Sequence, residues 1–504
     1  MASHRDRFDR YTEFAMAAFS NQFDERPHVV IIGGGITGLS TAFYLERAAR
    51  AVGQPIRCTI VERDNRLGGK IRTERVADAD GAGDFVIEGG PDSFVAQKPW
   101  AAELARDLGI GEKIHGSEPA APATYVLCNG TPQPLPDGTM LIVPTRFWPF
   151  AASPLISPLG KLRMALDLII PARQSEADES LADFIRRRLG HEALDRLAEP
   201  LMSGIHSAEC ERQSLLATFP RFRDIERRHG SIIRGMIAAR RNAPQHTGKP
   251  SAPFMTLRGG VGALVEALTQ QIEATILLGR SVAAIEHTAD AGRYQVRLDD
   301  GTNMFSNALI VTTPAYISAD LLEHVIPSLA AALRELRYVS TATVTICVRE
   351  ADITRAIGGY GVIIPRGEGR KINACTISSR KFAGRAPTGY ALVRAFVGGS
   401  RTPEALDLSD EQLITLVRDE LRDILGISAT PRFTRVYRWE RGNPQYDVGH
   451  IERIAAIEQL LPNGIYLAGA AYHGVGIPDC IHQGRKIAEA IVSQISAAVD
   501  QDVL

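Results

Sequence analysis

No C-x-x-C pair occurs in this chain, and its six cysteines, Cys58, Cys128, Cys210, Cys347, Cys375 and Cys480, stand far apart. That spacing excludes a zinc ribbon and a dithiol redox centre, and it reads as reduced, mostly buried thiols of a cytosolic protein. Also missing is an apolar stretch near the ~20 residues that cross a bilayer, because Pro149, Pro154, Pro158 and Pro171 break up the most apolar region. The protein is expected to be soluble and cytoplasmic, with no transmembrane segment and with peripheral contact to a membrane surface left open. A charge surplus is lacking too. The formal net charge is −1 with both signs spread along the sequence, which argues against a nucleic-acid partner. Residues 1–27 carry Arg5, Asp6, Arg7, Asp9, Glu13, Asp24 and Glu25 around FAMAAF, the pattern of neither a signal peptide nor an acid-poor transit peptide.

What is present points to an enzyme of small molecules. With 504 residues, 45% of them hydrophobic and 23% charged, two or three folding units and a large core are expected. HVVII at 28–32 is a β-branched run that enters GGGITG and leads into LSTAFYLERAA, where Leu39, Ala42 and Phe43 recur at helical spacing. CTIVE at 58–62 reads as a second parallel strand, so the first sixty residues hold a βαβ unit. Gly33, Gly35 and Gly38 satisfy G-x-G-x-x-G at the strand-to-helix turn: one glycine for the turn, one to admit a pyrophosphate, one for helix–strand packing. Glu62, at the end of the second strand, is placed to accept hydrogen bonds from a ribose diol. A plain surface glutamate is the alternative.

Further along, proline breaks at 132–158 give way to helical patterns at KLRMALDLII and SLADFIRRRLG, so roughly 116–210 reads as a helical insertion. TILLGRSVAAIE, YQVRLDDG and NALIVTTP alternate strand and turn. YVSTATVTICVRE (338–350) and TGYALVRAFV (388–397) look like longer strands of another sheet, and GIYLAGA is a last strand before a helix. The class is α/β: a Rossmann-type dinucleotide-binding domain of 26–93, 211–313 and 431–496, a sheet-based substrate domain of 94–115 and 314–430, and the insertion. ERDNRLGGKIRT runs from the ribose acid straight into Arg66 and Gly68-Gly69, which suits a loop wrapping back along a large dinucleotide and favours FAD over nicotinamide.

These motifs, with EGGPDSF (88–94), GIHS and ATFP around 204–220, TLRGGVGALVEAL (256–268), NPQYDVGH (443–450) and GVGIPDC (474–480), resemble the flavin amine-oxidase superfamily and, within it, the porphyrinogen oxidases of the soluble Gram-positive type. The resemblance spans about 28 to 496. It implies oxygen-dependent oxidation of coproporphyrinogen III to coproporphyrin III in haem biosynthesis, in three two-electron steps that release hydrogen peroxide. Protoporphyrinogen IX oxidation is the alternative, and contact with other haem-pathway enzymes is left open. It also implies site residues. Gly33, Gly34, Gly35, Ile36, Thr37 and Gly38 with Glu62 and Arg63 would hold the ADP half of FAD. Lys70 and Gly90, Pro91, Asp92 and Ser93 would follow it toward the flavin, Val282 would meet the adenine, Trp439 would lie near the flavin, and Val475, Gly476 and Ile477 would press backbone against the isoalloxazine end. Substrate would meet Lys98, Gly204 and Ile205, with Lys98 pairing to a propionate. No catalytic side chain and no metal are implied.

Two departures stand out. His206 sits where many members carry an aromatic residue, and Thr124 replaces the arginine of the plant and mitochondrial relatives. An amine oxidase or carotenoid desaturase on the same fold, or a redox-silent nucleotide-binding protein, are the rival readings. Tyr472 is the one clear candidate for the aromatic pair an amine oxidase needs.

Overall fold

A computed structural model describes residues 26–502 apart from 79–80, 82, 121, 141, 202–207, 243–251, 289–293 and 356. At its centre is a five-stranded parallel sheet built on β1 (His28–Ile32), α1 (Ile36–Ala51) and β2 (Arg57–Glu62). The order is Thr275–Leu278, β2, β1, Ala308–Val311, Ile465–Leu467, every pair parallel. All five residues of β1 are buried. A run apolar on both sides is what a central parallel strand needs, because helices cover one face of the sheet and further chain the other. α1 and the long last helix, Ile477–Asp502, pack together on one face. This is the α/β dinucleotide-binding architecture expected from the opening motif.

The second sheet has seven strands in the order Phe433–Pro444, Tyr338–Arg349, Tyr390–Gly398, Ala374–Ile377, Gly361–Ile363, Thr124–Cys128, Thr131–Pro134. Alternation along Tyr338–Arg349 gives it two faces. Ala342, Val344, Ile346 and Val348 join a core closed by Leu413, Val417, Leu421 and Leu425 of the helix Asp410–Leu425. The opposite face carries Thr341, Thr343 and Thr345. There the Thr343 hydroxyl donates to the Gly89 carbonyl at 3.1 Å, tying the sheet to the glycine-rich turn after Asp84–Glu88.

A helical layer closes the end of this sheet, and its extent differs from the sequence expectation at both limits. The strands Thr124–Cys128 and Thr131–Pro134, expected inside a helical insertion, complete the seven-stranded sheet. The helices Pro220–His229 and Ile232–Arg241, expected with the dinucleotide-binding part, bury Phe222, Ile225, Ile232 and Met236 in one core with Phe184, Ile185 and Leu197 of the layer. Sequence order misleads here because both helices are amphipathic, and the apolar stripe does not say which neighbour it covers.

Among the described residues no helix is long and apolar enough to cross a membrane.

Candidate functional site

The glycine turn after β1 shows why each glycine is needed. A side chain at Gly38 would bring its Cβ within 2.0 Å of the Gly33 carbonyl oxygen, so only glycine lets α1 start this close to the strand. Gly35 differs: nothing lies within 4 Å of where its Cβ would be. It is the N-cap of α1, with no side-chain cap and no acid in the first turn. An open space at a helix N-terminus bordered by uncapped N–H groups is where an anion binds.

Glu62 reaches back to this turn. Its carboxylate accepts from Gly34 N–H at 2.6 Å and from Asp64 N–H at 2.8 Å, which fixes it at the end of β2 beside the opening. Replacing Glu62 with glutamine presents an amide NH2 to one of these donors and weakens any hydrogen bond to a ribose. FAD affinity is expected to fall by about 1.5–3 kcal/mol with the fold intact, as read by a fluorescence titration of the apoprotein. Unchanged affinity would move the ribose acid elsewhere. Arg63, by contrast, is exposed and pairs with Asp64 at 3.7 Å.

Lys70 lies between the glycine turn and the last helix. Burial pushes its ammonium down, and among the described residues no carboxylate lies within ion-pair distance. Its near neighbour Cys480 offers no anion, since burial pushes that thiol up to about 11 and keeps it protonated. A docked phosphate would supply the missing counter-charge. The open turn at Gly35 and this cation without a partner are the chemistry an anionic dinucleotide such as FAD requires.

The second glycine loop, Gly89 to Ser93, is held from beneath by cations that sequence reading missed. Arg385 pairs with Glu88 at 2.8 Å, both buried, and Arg394 donates to the Gly90 carbonyl at 2.5 Å. Lys381 pairs with Asp92 at 2.9 Å. Burial alone would raise Asp92, but the Lys381 ammonium and the Arg394 guanidinium outweigh it and hold the carboxyl well below its ordinary range. A Cβ at Gly90 would come within 1.8 Å of the Lys70 carbonyl oxygen, so the two loops touch. Trp439 closes the group: its indole N–H donates to the Gly89 carbonyl at 2.8 Å. Val282 begins the strand Val282–His287 and packs against the core that holds Val30 and Val61, two residues after Arg280, whose N–H donates to the Glu62 carbonyl at 3.1 Å.

At the C-terminal motif, Gly474 adopts φ +117, and a Cβ there would lie 2.4 Å from Asp479 Cγ. Val475 is partly exposed, Gly476 donates to Asp479 Oδ2 at 3.3 Å, and Ile477 starts the last helix. Lys98 is brought here from 381 residues away, its ammonium 2.6 and 2.7 Å from the two Asp479 oxygens. So the expected propionate partner meets a lysine that already holds a carboxylate, one that offsets an acid at the helix N-terminus. Tyr472 is 4% exposed and sits in a core with Ala315, Ala319 and Leu322. Gly204, Ile205 and His206 lie outside the described residues. Thr124 begins a strand of the seven-stranded sheet.

Comparison with known proteins agrees with this geometry. The family model described as flavin containing amine oxidoreductase matches residues 36–492. The coproporphyrinogen III oxidase of Bacillus subtilis (strain 168) is 38% identical over 92% of this chain and 97% of its own length. The coproporphyrinogen III oxidase of Propionibacterium freudenreichii is 34% identical over 94% and 92%. A crystal structure from Exiguobacterium sp. 255-15, of a protein named after protoporphyrinogen oxidase, superposes with a TM-score of 0.81 at 32% identity, covering 94% of this chain and 99% of that one. Putrescine oxidase with bound putrescine, 15% identical at a TM-score of 0.67 and covering 93% of this chain and 99% of that one, shares the fold. Matches that run the length of the chain meet a site shaped for an anionic dinucleotide, and the chain belongs to the flavin-containing amine oxidoreductase family.

Proposed function

We propose that this protein is an FAD-dependent porphyrinogen oxidase that converts coproporphyrinogen III to coproporphyrin III with molecular oxygen, a cytoplasmic step of haem biosynthesis. The observation that carries the reading is the near-complete coverage at 38% identity with a bacterial protein of that name. Protoporphyrinogen IX is the second reading, since a chloroplast protoporphyrinogen oxidase 1 from Spinacia oleracea is 28% identical over 94% of the chain and 85% of its own length.

FAD, when bound, would supply the chemistry of a hydride acceptor that oxygen can reoxidise. The chain's own work is binding and orientation. Gly33 to Gly38, Glu62 and Arg63 would hold the ADP half, Lys70 would answer the pyrophosphate charge, and Gly90 to Ser93, Trp439 and the Val475 to Ile477 turn would frame the flavin, with Val282 at the adenine. Burial holds Cys480 and Tyr446, beside the last turn, in their protonated forms. No base is drawn from them, in keeping with an electron-rich substrate whose pyrrole protons leave to water.

Lys98 is 43% exposed, so its ammonium keeps donor capacity for a substrate propionate while holding Asp479. Water screens such a pair to about 1 kcal/mol. Lys98→Ala is therefore expected to raise KM for coproporphyrinogen several-fold with FAD content unchanged. A fall in kcat at constant KM would assign the lysine to Asp479 alone. Contact with a membrane surface, where a porphyrinogen product or precursor partitions, falls to the exposed apolar side chains Trp148, Leu159, Leu162 and Ile169.

The deciding experiment incubates the purified FAD-loaded protein with each porphyrinogen in air and follows porphyrin fluorescence. Coproporphyrinogen III should show the higher kcat/KM. A clear preference for protoporphyrinogen IX overturns the substrate assignment, and a colourless preparation that takes up no FAD overturns the enzyme.

A further inference from the structure

The motif NPQYDVGH is specific in sequence, yet none of its side chains belongs to the cofactor or substrate set above. Its position explains it. The Tyr446 ring stacks on the His450 ring with centroids 3.7 Å apart and planes 14° apart, and the two are 7% and 2% exposed. From this stack three hydrogen bonds reach one short segment of the last turn. The Tyr446 hydroxyl donates to the Ala470 carbonyl at 2.9 Å and accepts the Gly474 N–H at 2.8 Å. The His450 Nε2 lies 3.0 Å from the Tyr472 carbonyl oxygen. Residues 470, 472 and 474 are thus gripped from one side, while Asp479, fixed by Lys98, stands against Gly474 on the other.

The stack itself is anchored outside the dinucleotide-binding sheet. Asp447 pairs with Arg337 at 2.8 Å and with Arg212 at 3.0 Å. The Tyr446 carbonyl accepts from Ser214 N–H and Val448 N–H donates to the Arg212 carbonyl, both at 2.8 Å, and Gly449 N–H reaches Asp178 at 3.3 Å. The motif therefore ties the helical layer, through Asp178, Arg212 and Ser214, to the turn that ends in Gly474. Burial pushes the His450 imidazole down and the Tyr446 phenol up, so both rings stay uncharged and their hydrogen bonds keep one pattern near neutral pH.

We propose that Tyr446 and His450 are positioning residues: they touch neither substrate nor cofactor, and they set the position of the Gly474–Ile477 turn from the helical layer. This rests on the reading of that turn as the one against the flavin. The functional consequence is selective. Loosening the turn leaves the ADP half of FAD held by the Gly33–Gly38 turn and Glu62, so cofactor content survives while the geometry of hydride transfer does not.

Tyr446→Phe keeps the ring, the stack and the packing and removes the hydroxyl. In the FAD-loaded protein it is expected to leave flavin content unchanged and KM within about twofold, to lower kcat at least about tenfold, and to speed amide hydrogen exchange in peptides spanning 470–476 while peptides of β1 and β2 exchange as in wild type. His450→Gln, which retains a nitrogen donor, should recover part of what His450→Leu loses. Wild-type kcat and exchange in Tyr446→Phe overturn the proposal. So does loss of FAD together with faster exchange throughout, which would make the stack a general structural element. If Tyr446→Phe fails to fold, equal turnover and exchange in the two His450 variants overturn it instead. Exchange and flavin content need no porphyrinogen, so a wild-type chain that oxidises none defeats the proposed function and leaves the stack decided by the exchange comparison.

Discussion

Gly474→Val should yield a folded protein with little bound FAD and no measurable turnover. Two independent penalties meet at this position. The backbone sits at φ +117, outside the regions an L-residue with a branched side chain adopts, and the Cβ would overlap Asp479, at 2.4 Å from Cγ and 2.7 Å from Cβ. Asp479 cannot swing away freely, because Lys98 holds both its oxygens and its backbone belongs to the first turn of the last helix. The turn must therefore be displaced as a unit, and Val475 to Ile477 driven into the place the flavin would take would exclude the cofactor, which a turn merely loosened by loss of a hydrogen bond would not do. At Gly476 a Cβ would meet Asp479 Oδ2 at 3.0 Å with ordinary backbone angles, so the same substitution there is milder locally and acts by filling the space next to the flavin. Flavin absorbance per polypeptide, with far-UV circular dichroism as the folding control, measures both. Wild-type flavin content in Gly474→Val would mean that the turn has slack that the geometry denies it.

That comparison marks where sequence reading succeeds and where it stops. The βαβ unit was legible because each of its signals is local: four β-branched residues, three glycines at fixed offsets, a helical stripe and an acid, all within Val29 to Glu62. The long strands Tyr338–Arg349 and Tyr390–Gly398 were legible for the same reason, as alternating apolar runs. What joined them was not. Phe433–Pro444 pairs with Tyr338–Arg349 across about a hundred residues, and Thr275–Leu278 pairs with β2 across more than two hundred, with no local pattern naming the partner. Lys98 shows the limit most plainly, since a lysine after an ordered loop carries no mark of the aspartate 381 positions later that it meets. Two of the three cations under Gly89 to Ser93 left a fainter signal: SRKFAGR places Lys381 and Arg385 beside Arg380, and a charge run of that kind reads as a solvated surface until the fold buries it. For NPQYDVGH the spacing was informative in retrospect. A tyrosine and a histidine four apart across Gly449 (φ +82) are turned onto one another by that glycine.

Arg188→Met should remove about 3–5 kcal/mol from the helical layer, the largest loss of stability expected from a single side chain outside the cofactor site. Arg188 and Asp167 are both fully buried, and the guanidinium Nε donates to Asp167 at 2.5 Å. The remaining donors go to carbonyls of Asp167, Ile170, Pro171 and Gly230, so one side chain closes the end of Leu166–Leu168 and the turn before Ile232–Arg241. Asp167 in turn accepts from the Ser231 hydroxyl and Ile233 N–H. Methionine fills much of the volume but leaves a buried carboxylate without its cation and four carbonyls without donors, which is why breaking this pair exceeds the worth of making it. Because the five-stranded sheet has its own core, the layer should open first, seen as a thermal transition below the temperature of FAD release and as early proteolysis between 166 and 241. The double variant Asp167→Leu with Arg188→Met removes both charges and should regain a substantial part of the loss. If the single variant melts in one step with FAD release, the layer and the sheet form one cooperative unit and the pair's contribution is spread across both.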